Sequence, residues 1–126
     1  MITLSQTSLK RLQGVHPDLV KVVKRAAEIS DIDFMVTEGL RSIERQRQLV
    51  KAGASKTLKS RHLNGHAVDL AVLLNGKLSW DWPLYHKLAK WVKQAAADVG
   101  VKIEWGGDWV SFRDGPHFQL PWKQYP

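Results

Sequence analysis

Hydrophobic residues recur along this chain with two different periods, which predict helices in some segments and strands in others. Helical spacing of apolar residues predicts four helices, over residues 4–13, 17–30, 43–52 and 82–99. Short β-branched or alternating runs predict strands over residues 33–38, 67–74, 77–80, 101–105 and 117–120. Asn75-Gly76 is a two-residue hairpin signal, and Ser42 and Asp81 are candidate N-caps. Helices that lead into a small sheet with hairpin connections predict an α+β domain with a mostly antiparallel sheet flanked by helices.

Chemically versatile side chains interrupt this pattern between Ser60 and Asp69, where two imidazoles and a carboxylate fall within ten residues. Asp69 lies inside a predicted strand, on the same side as the small residues Ala67 and Ala71. A bare buried carboxylate costs several kcal/mol unless it is paired or coordinates an ion. Two interpretations follow for Asp69: it is a metal ligand, or it forms a salt bridge with one of the arginines.

The two histidines of this segment compete for the role of ligand. His62 and His66 are four residues apart, which on a helix would place both on one face. Asn64 and Gly65 oppose a helix there, and on a strand His66 would point away from Asp69. We therefore predict His62 as the ligand and His66 as a residue at the rim or behind the ligands.

A third ligand has to come from far along the chain, and the segment Asp114-Gly115-Pro116-His117 is the best supplier. Three protein ligands plus a water form the open tetrahedral site of a catalytic zinc, although manganese or cobalt would fit the same donors. Asp114, beside the ligand, would then take a proton from the attacking water. The alternative is that this segment is an ordinary Asp-Gly turn with a structural histidine.

Two further segments are candidates for the same site. Arg41 stands between a predicted strand and a predicted helix, where it either stabilises an oxyanion in a cleft or lies exposed in a loop. The segment 105–109 combines tryptophans with two glycines, which suits close approach of a ligand or, alternatively, a tight turn over core aromatics. Trp80 and Trp91 are expected in the core.

Composition narrows the class of protein. The 126 residues, 44% of them hydrophobic, predict one domain over residues 1–126 without a second module. The chain has no cysteine, so a metal site must use histidine and carboxylate. A net charge of +7 favours an anionic partner such as nucleic acid, a membrane surface or cell wall, or is simply a solvated surface. The chain has no run of basic residues that would favour nucleic acid as the partner. It also has no apolar run near the ~20 residues of a membrane helix, and residues 1–13 do not resemble a signal peptide.

Four segments resemble one known family in the right order. Residues 60–69 match the pattern Ser-x-His-x-x-Gly-x-Ala-x-Asp of the zinc D-alanyl-D-alanine carboxypeptidases and their relatives. Residues 114–117 match the later Asp-x-x-His element, and residues 39–46 resemble the upstream arginine-containing segment. Residues 104–109, Glu-Trp-Gly-Gly-Asp-Trp, followed by Pro-His-Phe at 116–118, resemble most closely the L-alanyl-D-glutamate peptidase branch, which includes bacteriophage endolysins.

The resemblance implies one zinc ion held by His62, Asp69 and His117 in a carboxypeptidase-like single domain. It implies Asp114 as general base and then acid, and Arg41 as the group that polarises the scissile carbonyl. Many carboxypeptidases of this family carry Glu at the position of Asp114, whereas the endopeptidase branch commonly carries Asp. This departure favours the endopeptidase branch.

The same resemblance makes Ser60, Trp105 and Asp108 candidate contacts to the substrate, which would be a peptidoglycan stem peptide. We therefore predict a monomeric endolysin peptidase that cuts between L-alanine and D-glutamate, without specific nucleic-acid binding or membrane insertion. It would wait in the host cytoplasm until the membrane is permeabilised and then act on the wall. The alternatives are a D-Ala-D-Ala carboxypeptidase or dipeptidase on the same polymer, a non-catalytic zinc-containing wall-binding protein, and a nucleic-acid binder.

Overall fold

A computed structural model describes residues 2–54, 60–111 and 113–126 of the chain. The helices are α1 (Gln6–Arg11), α2 (Pro17–Ile29), α3 (Ile43–Lys51) and α4 (Trp82–Val99). The strands are β1 (Phe34–Glu38), β2 (Ala67–Leu74), β3 (Lys77–Ser79), β4 (Glu104–Trp105) and β5 (His117–Gln119). Two short 3₁₀ helices span Arg61–Asn64 and Gly106–Asp108. Each predicted helix and strand is therefore present, several of them with shorter ends.

The strands form one antiparallel sheet. Its order is β1-β2-β5-β4, and β3 pairs with β2 as a hairpin. The hairpin turn contains Asn75 and Gly76, both with positive φ, as a type I′ turn requires. The predicted class, α+β with a mostly antiparallel sheet flanked by helices, is confirmed.

One face of the sheet packs against α2 and α4, and this layer forms the hydrophobic core. The alternation of β2 places Val68, Leu70 and Val72 on this face, each at most 1% exposed. The helices cover it because their apolar residues recur at helical spacing; the buried members include Leu19, Val22, Val23, Ala26, Leu88, Val92 and Ala95. Within the described residues no helix has the length and apolarity needed to cross a membrane.

The opposite side chains of the same strands build the candidate site. Val68 and Leu70 point into the core, and Asp69 between them points to the opposite face, as the strand period predicts. The register pairs Asp69 with His117 on one neighbouring strand and with Glu38 on the other. Antiparallel pairing thus brings residue 117 next to residue 69, although they are far apart in sequence.

Some local predictions were wrong or only partly right. The sequence predicted neither helix nor strand between residues 52 and 67, but Arg61–Asn64 forms a 3₁₀ helix because Ser60 caps it and Gly65, at φ 75°, ends it. Residues 55–59 of this stretch lie outside the described residues. Of the predicted strand 101–105, only Glu104–Trp105 pairs, because β5 offers it just two partners.

Two other predictions concern polar and aromatic residues around α4. Asp81 occupies the N-cap position, but its side chain makes no capping hydrogen bond. Trp80 is 59% exposed rather than in the core, because it leaves the end of the edge strand β3 and contacts Tyr85 with only one face. Trp91 is half-buried, and its indole N–H donates to Asp31 at 2.8 Å.

Candidate metal centre

Three elements deliver the predicted ligands to one point. His62 lies in the 3₁₀ helix that Ser60 caps by accepting a hydrogen bond from the His62 N–H at 3.2 Å. Asp69 comes from the centre of β2, and His117 is the first residue of β5, directly opposite it. The turn and the strand register together therefore bring the three side chains into contact.

The ligand atoms converge on the carboxylate of Asp69. Oδ1 of Asp69 lies 3.2 Å from Nε2 of His62 and 3.3 Å from Nδ1 of His117. One donor atom from each of the three residues lies within 4.8 Å of the other two. Two imidazole nitrogens and one carboxylate oxygen are a donor set that zinc accepts, so the residues present fit a single metal ion.

The outward nitrogens of both rings are occupied by oxygen acceptors. Nδ1 of His62 donates to the carbonyl of Gly39 at 2.8 Å, and Nε2 of His117 donates to Oε1 of Gln119 at 2.8 Å. Because each outward nitrogen has its own acceptor for a ring proton, the nitrogen that faces Asp69 can release its proton and offer a lone pair when a metal binds.

Opposite charges stabilise one another within the cluster. Burial alone would raise the pKa of Asp69, but hydrogen bonds to His117 and His62 outweigh it and hold that pKa well below its ordinary value. Burial also works to lower the pKa of His117, but the hydrogen bond and charge of Asp69 raise it overall. The cluster therefore favours an ionised carboxylate, the form that binds a cation.

Arg41 lies beside the cluster, where the sequence placed it. Its Nε and Nη2 donate to the two carboxylate oxygens of Glu38, both at 2.7 Å, and its Nη1 donates to Oε1 of Gln46 at 2.6 Å. Nη2 is also 3.7 Å from Oδ2 of Asp69. Arg41 is only 9% exposed, and its guanidinium is thus held next to the predicted ligand.

Asp114 is half-buried at the edge of the cluster. Burial raises the pKa of its carboxyl, and the negative charge of Asp69 raises it further, against the opposing charges of His117, His62 and Arg41. Its backbone carbonyl accepts from the N–H of His117 at 3.3 Å. Residues 114–117 therefore form a turn, as the alternative of an Asp-Gly turn predicted. The same turn places the carboxyl of Asp114 beside the predicted ligands.

The structure leaves the other sequence candidates outside the cluster. Ser60 caps the 3₁₀ helix, and Trp105 is 3% exposed and donates through Nε1 to the carbonyl of Gly115 at 2.7 Å. Asp108 is exposed and binds Lys93 Nζ at 2.7 Å on the surface of α4. His66 packs against the rings of His16 and Tyr125. The predicted contacts of Ser60, Trp105 and Asp108 with substrate stay predictions.

Residues that the sequence analysis named only as part of a segment, or not at all, also contact the cluster. The ring of Trp109 lies 5.1 Å from the ring of His117, measured between centroids. Gln119 and Glu38 hold His117 and Arg41. The strand period offered a signal for Gln119, which shares a face of β5 with His117 two residues earlier. Glu38 is only three residues before Arg41, so its position close to that arginine was the signal that sequence reasoning did not use.

The fold as a whole is shared with a peptidase of known structure. The vancomycin-resistance D,D-dipeptidase VanXYg superposes with a TM-score of 0.54 at 18% identity, over 84% of this chain and 50% of that one. At this identity the likeness shows the fold alone. It is the carboxypeptidase-like α+β fold that the resemblance implied.

Closer relatives establish the family. The family model described as phage L-alanyl-D-glutamate peptidase matches residues 1–120. The L-alanyl-D-glutamate peptidase of Escherichia phage T5 is 36% identical over 113 residues, covering 86% of this chain and 82% of that protein. The structure of the Serratia marcescens L-Ala D-Glu endopeptidase ChiX superposes with a TM-score of 0.92 at 50% identity, over 98% and 92% of the two chains. The chain belongs to the phage L-alanyl-D-glutamate peptidase family, which confirms the predicted resemblance.

Proposed function

We propose that this protein is a zinc-dependent endopeptidase that hydrolyses the bond between L-alanine and D-glutamate in peptidoglycan stem peptides. The observation that carries the proposal is the convergence of His62, Asp69 and His117 within 4.8 Å, in a chain whose relatives bear that enzyme name. Two imidazoles and one carboxylate with an open fourth position are a common ligand set of catalytic zinc.

A zinc ion held by the three ligands supplies Lewis-acid activation of water and of a carbonyl oxygen. Asp114 accepts the proton of the attacking water and returns it to the nitrogen of the leaving amine as the peptide bond breaks. Arg41 donates a hydrogen bond to the oxygen that becomes negative during the attack. Its bonds to Glu38 and Gln46 keep the guanidinium oriented for this task before substrate arrives.

Substrate contacts extend from the ligands to nearby aromatic and polar groups. Trp109, whose ring lies against His117, presents an apolar surface beside the proposed reaction centre. Ser60, Trp105 and Asp108 stay candidates: Trp105 acts through the turn that it fixes at Gly115, and Ser60 through the helix that it caps.

The biological setting belongs to the same proposal. We propose that the enzyme acts as a monomer on the wall and that it reaches the wall from the host cytoplasm once the membrane is permeabilised. The net charge of +7 favours adsorption to an anionic wall polymer. The domain prediction, a single peptidase unit over residues 1–126 without a wall-binding module, stays part of this proposal.

Digestion of purified muropeptides tests the scissile bond. We expect mass spectrometry to show release of L-alanine-bearing muramyl fragments and peptides with a new D-glutamate amino terminus. Loss of a terminal D-alanine would favour a carboxypeptidase instead, and binding to sacculi without any cleavage would favour a non-catalytic wall-binding protein. Elemental analysis of the same preparation should find one zinc ion per chain.

A further inference from the structure

A line of side-chain hydrogen bonds leads from the candidate metal centre to the protein surface. Nε2 of His117 donates to Oε1 of Gln119 at 2.8 Å, and Nε2 of Gln119 donates to Oε1 of Glu104 at 3.1 Å. The register of β4 and β5 pairs Glu104 with Gln119 directly, so the sheet itself holds the two side chains together. Gln119 is 7% exposed, whereas Glu104 is at the surface.

From this arrangement we propose that Glu104 is a positioning residue, which decides through Gln119 which ring nitrogen of His117 faces the metal. Glu104 contacts neither metal ligand nor, in the proposed mechanism, the substrate. The inference rests on the proposed zinc site, but it is independent of which peptide bond is cut.

The argument starts from what each group can donate. An ionised carboxylate only accepts hydrogen bonds, so Glu104 requires the NH₂ group of the Gln119 amide to face it. The amide oxygen must then face His117, and an oxygen can only accept. When a metal binds, the ring proton that remains is therefore held on Nε2, and Nδ1, which lies 3.3 Å from Oδ1 of Asp69, supplies the lone pair where the metal is proposed to bind.

The two histidine ligands differ in how their orientation is secured. His62 donates to the backbone carbonyl of Gly39, an acceptor that cannot reverse. His117 instead depends on an amide whose oxygen and nitrogen ends exchange by a half-turn. Because Gln119 is buried, water is not at hand to hold the amide in place of Glu104. The carboxylate of Glu104 thus favours the amide orientation that suits His117 over the reversed one.

The sharpest test replaces the acceptor at position 104 by a donor, which reverses the direction of the hydrogen bonds through Gln119. A lysine at position 104 donates, so Glu104→Lys draws the amide oxygen outward and turns the NH₂ group toward His117. A protonated Nε2 of His117 would then face another donor, so it can keep either its proton or its hydrogen bond to residue 119 but not both. We expect zinc affinity, measured by competition with a chromophoric chelator, to fall about 10- to 100-fold, the range for loss of a contact behind a ligand.

A second substitution should restore the line. In the Glu104→Lys background, Gln119→Glu supplies a carboxylate that accepts from His117 and from the new lysine at once. We expect zinc affinity to return to near the wild-type value. Gln119→Glu alone keeps an acceptor for His117 but sets two carboxylates about 3 Å apart, so its recovery should depend on the lysine at position 104.

Glu104→Met is the matched control, since it removes the carboxylate without introducing a donor. If only long-range charge mattered, Glu104→Met would lose about half as much zinc-binding free energy as Glu104→Lys. The loss of zinc affinity in both variants would then also vanish at about 1 M salt, where the Debye length is about 3 Å. We expect instead a loss of at most a few-fold for Glu104→Met and a salt-independent loss for Glu104→Lys. The charge of Glu104 also acts on the buried Arg61. Unfolding curves of every variant are therefore needed to show that the fold is unchanged.

Nuclear magnetic resonance can show directly which ring nitrogen of His117 carries the proton. Two-bond ¹H–¹⁵N spectra of the zinc-loaded wild type should show the proton of His117 on Nε2 and the metal on Nδ1. Equal zinc affinity of wild type and Glu104→Lys, or failure of the double variant to recover, would overturn the inference while leaving the zinc site intact. A wild-type protein that binds no zinc would instead overturn the proposed function.

Discussion

Asp114 combines a functional advantage with a cost in stability. Its pKa is raised, first by burial and then by the charge of Asp69, so the carboxyl accepts a proton more readily than an exposed aspartate. A base must be ionised to act, so activity should fall as the pH drops through this raised pKa. We expect the acid limb of the kcat profile to lie above the ordinary aspartate value of 3.8. An acid limb at or below that value would contradict the role.

Replacement of Asp114 by Asn separates catalysis from folding. We expect kcat to fall about 10²- to 10⁴-fold, the usual contribution of a general acid–base group, while zinc binding is retained. A carboxyl whose folded pKa is raised stabilises the fold fully only below its unfolded pKa, and that stability is lost as the pH rises through the folded pKa. Asp114→Asn should therefore melt at a higher temperature than the wild type at neutral pH. Unchanged hydrolysis by this variant would refute the catalytic assignment.

Arg41 illustrates why a positive charge alone does not define its task. Its planar guanidinium binds both oxygens of Glu38 and one of Gln46 while one nitrogen faces Asp69. A lysine cannot satisfy these directions together, so we expect Arg41→Lys to lower kcat about 10²- to 10³-fold with a smaller change in KM. Arg25→Lys, at an exposed ion pair between α2 and α4, is the control and should leave kcat unchanged. A kcat for Arg41→Lys equal to that of this control would show that charge is sufficient.

At the scale of elements, the connection between the 3₁₀ helix and β2 fixes the distance from His62 to Asp69. Gly65 makes this connection with φ 75°, and a Cβ there would overlap the carbonyl of Gly14, while its own carbonyl accepts from His16 N–H at 2.8 Å. Gly65→Ala therefore adds steric overlap to backbone strain of about 1–3 kcal/mol. We expect chemical unfolding to show a loss larger than strain alone, together with weaker zinc binding.

Gly100→Ala provides the matched comparison for that variant. Gly100 has a similar φ of 72°, but nothing lies within 4 Å of the position of an added Cβ. It should therefore show the strain without the overlap and keep full zinc affinity. Equal destabilisation of the two variants would mean that the contact with Gly14 does not hold the connection in place.

The elements themselves were largely predictable, because short-range periodicity carries most of the information. β2 was predicted with its observed bounds, since Ala67–Leu74 is apolar except for Asp69 and ends at a strong hairpin turn. The errors fall where tertiary pairing decides. β4 keeps only Glu104–Trp105 of a longer predicted strand, and Trp80 is exposed because β3 ends at the sheet edge. Neither the length of a partner strand nor the position of an edge can be read from local spacing.

For the site, motif spacing indicated which residues take part, but only the sheet shows how they meet. His62 and Asp69 are close in sequence, so a turn followed by a strand was enough to predict their meeting. His117 reaches them because β5 lies next to β2 with residue 117 opposite residue 69. The contact of Glu104 with Gln119 depends on the same sheet order, and no local pattern could reveal it.

For the whole molecule, the charge of +7 should matter for adsorption to the wall but little for chemistry at the cluster. Attraction between a basic protein and an extended anionic polymer is screened once the Debye length falls below about 10 Å, near 0.1 M salt. A short soluble stem peptide offers no such extended charge. We therefore expect raised salt to slow hydrolysis of intact sacculi several-fold, measured by turbidity, while hydrolysis of the soluble peptide changes little. The same salt dependence for both substrates would place the effect within the site and would argue against adsorption through surface charge.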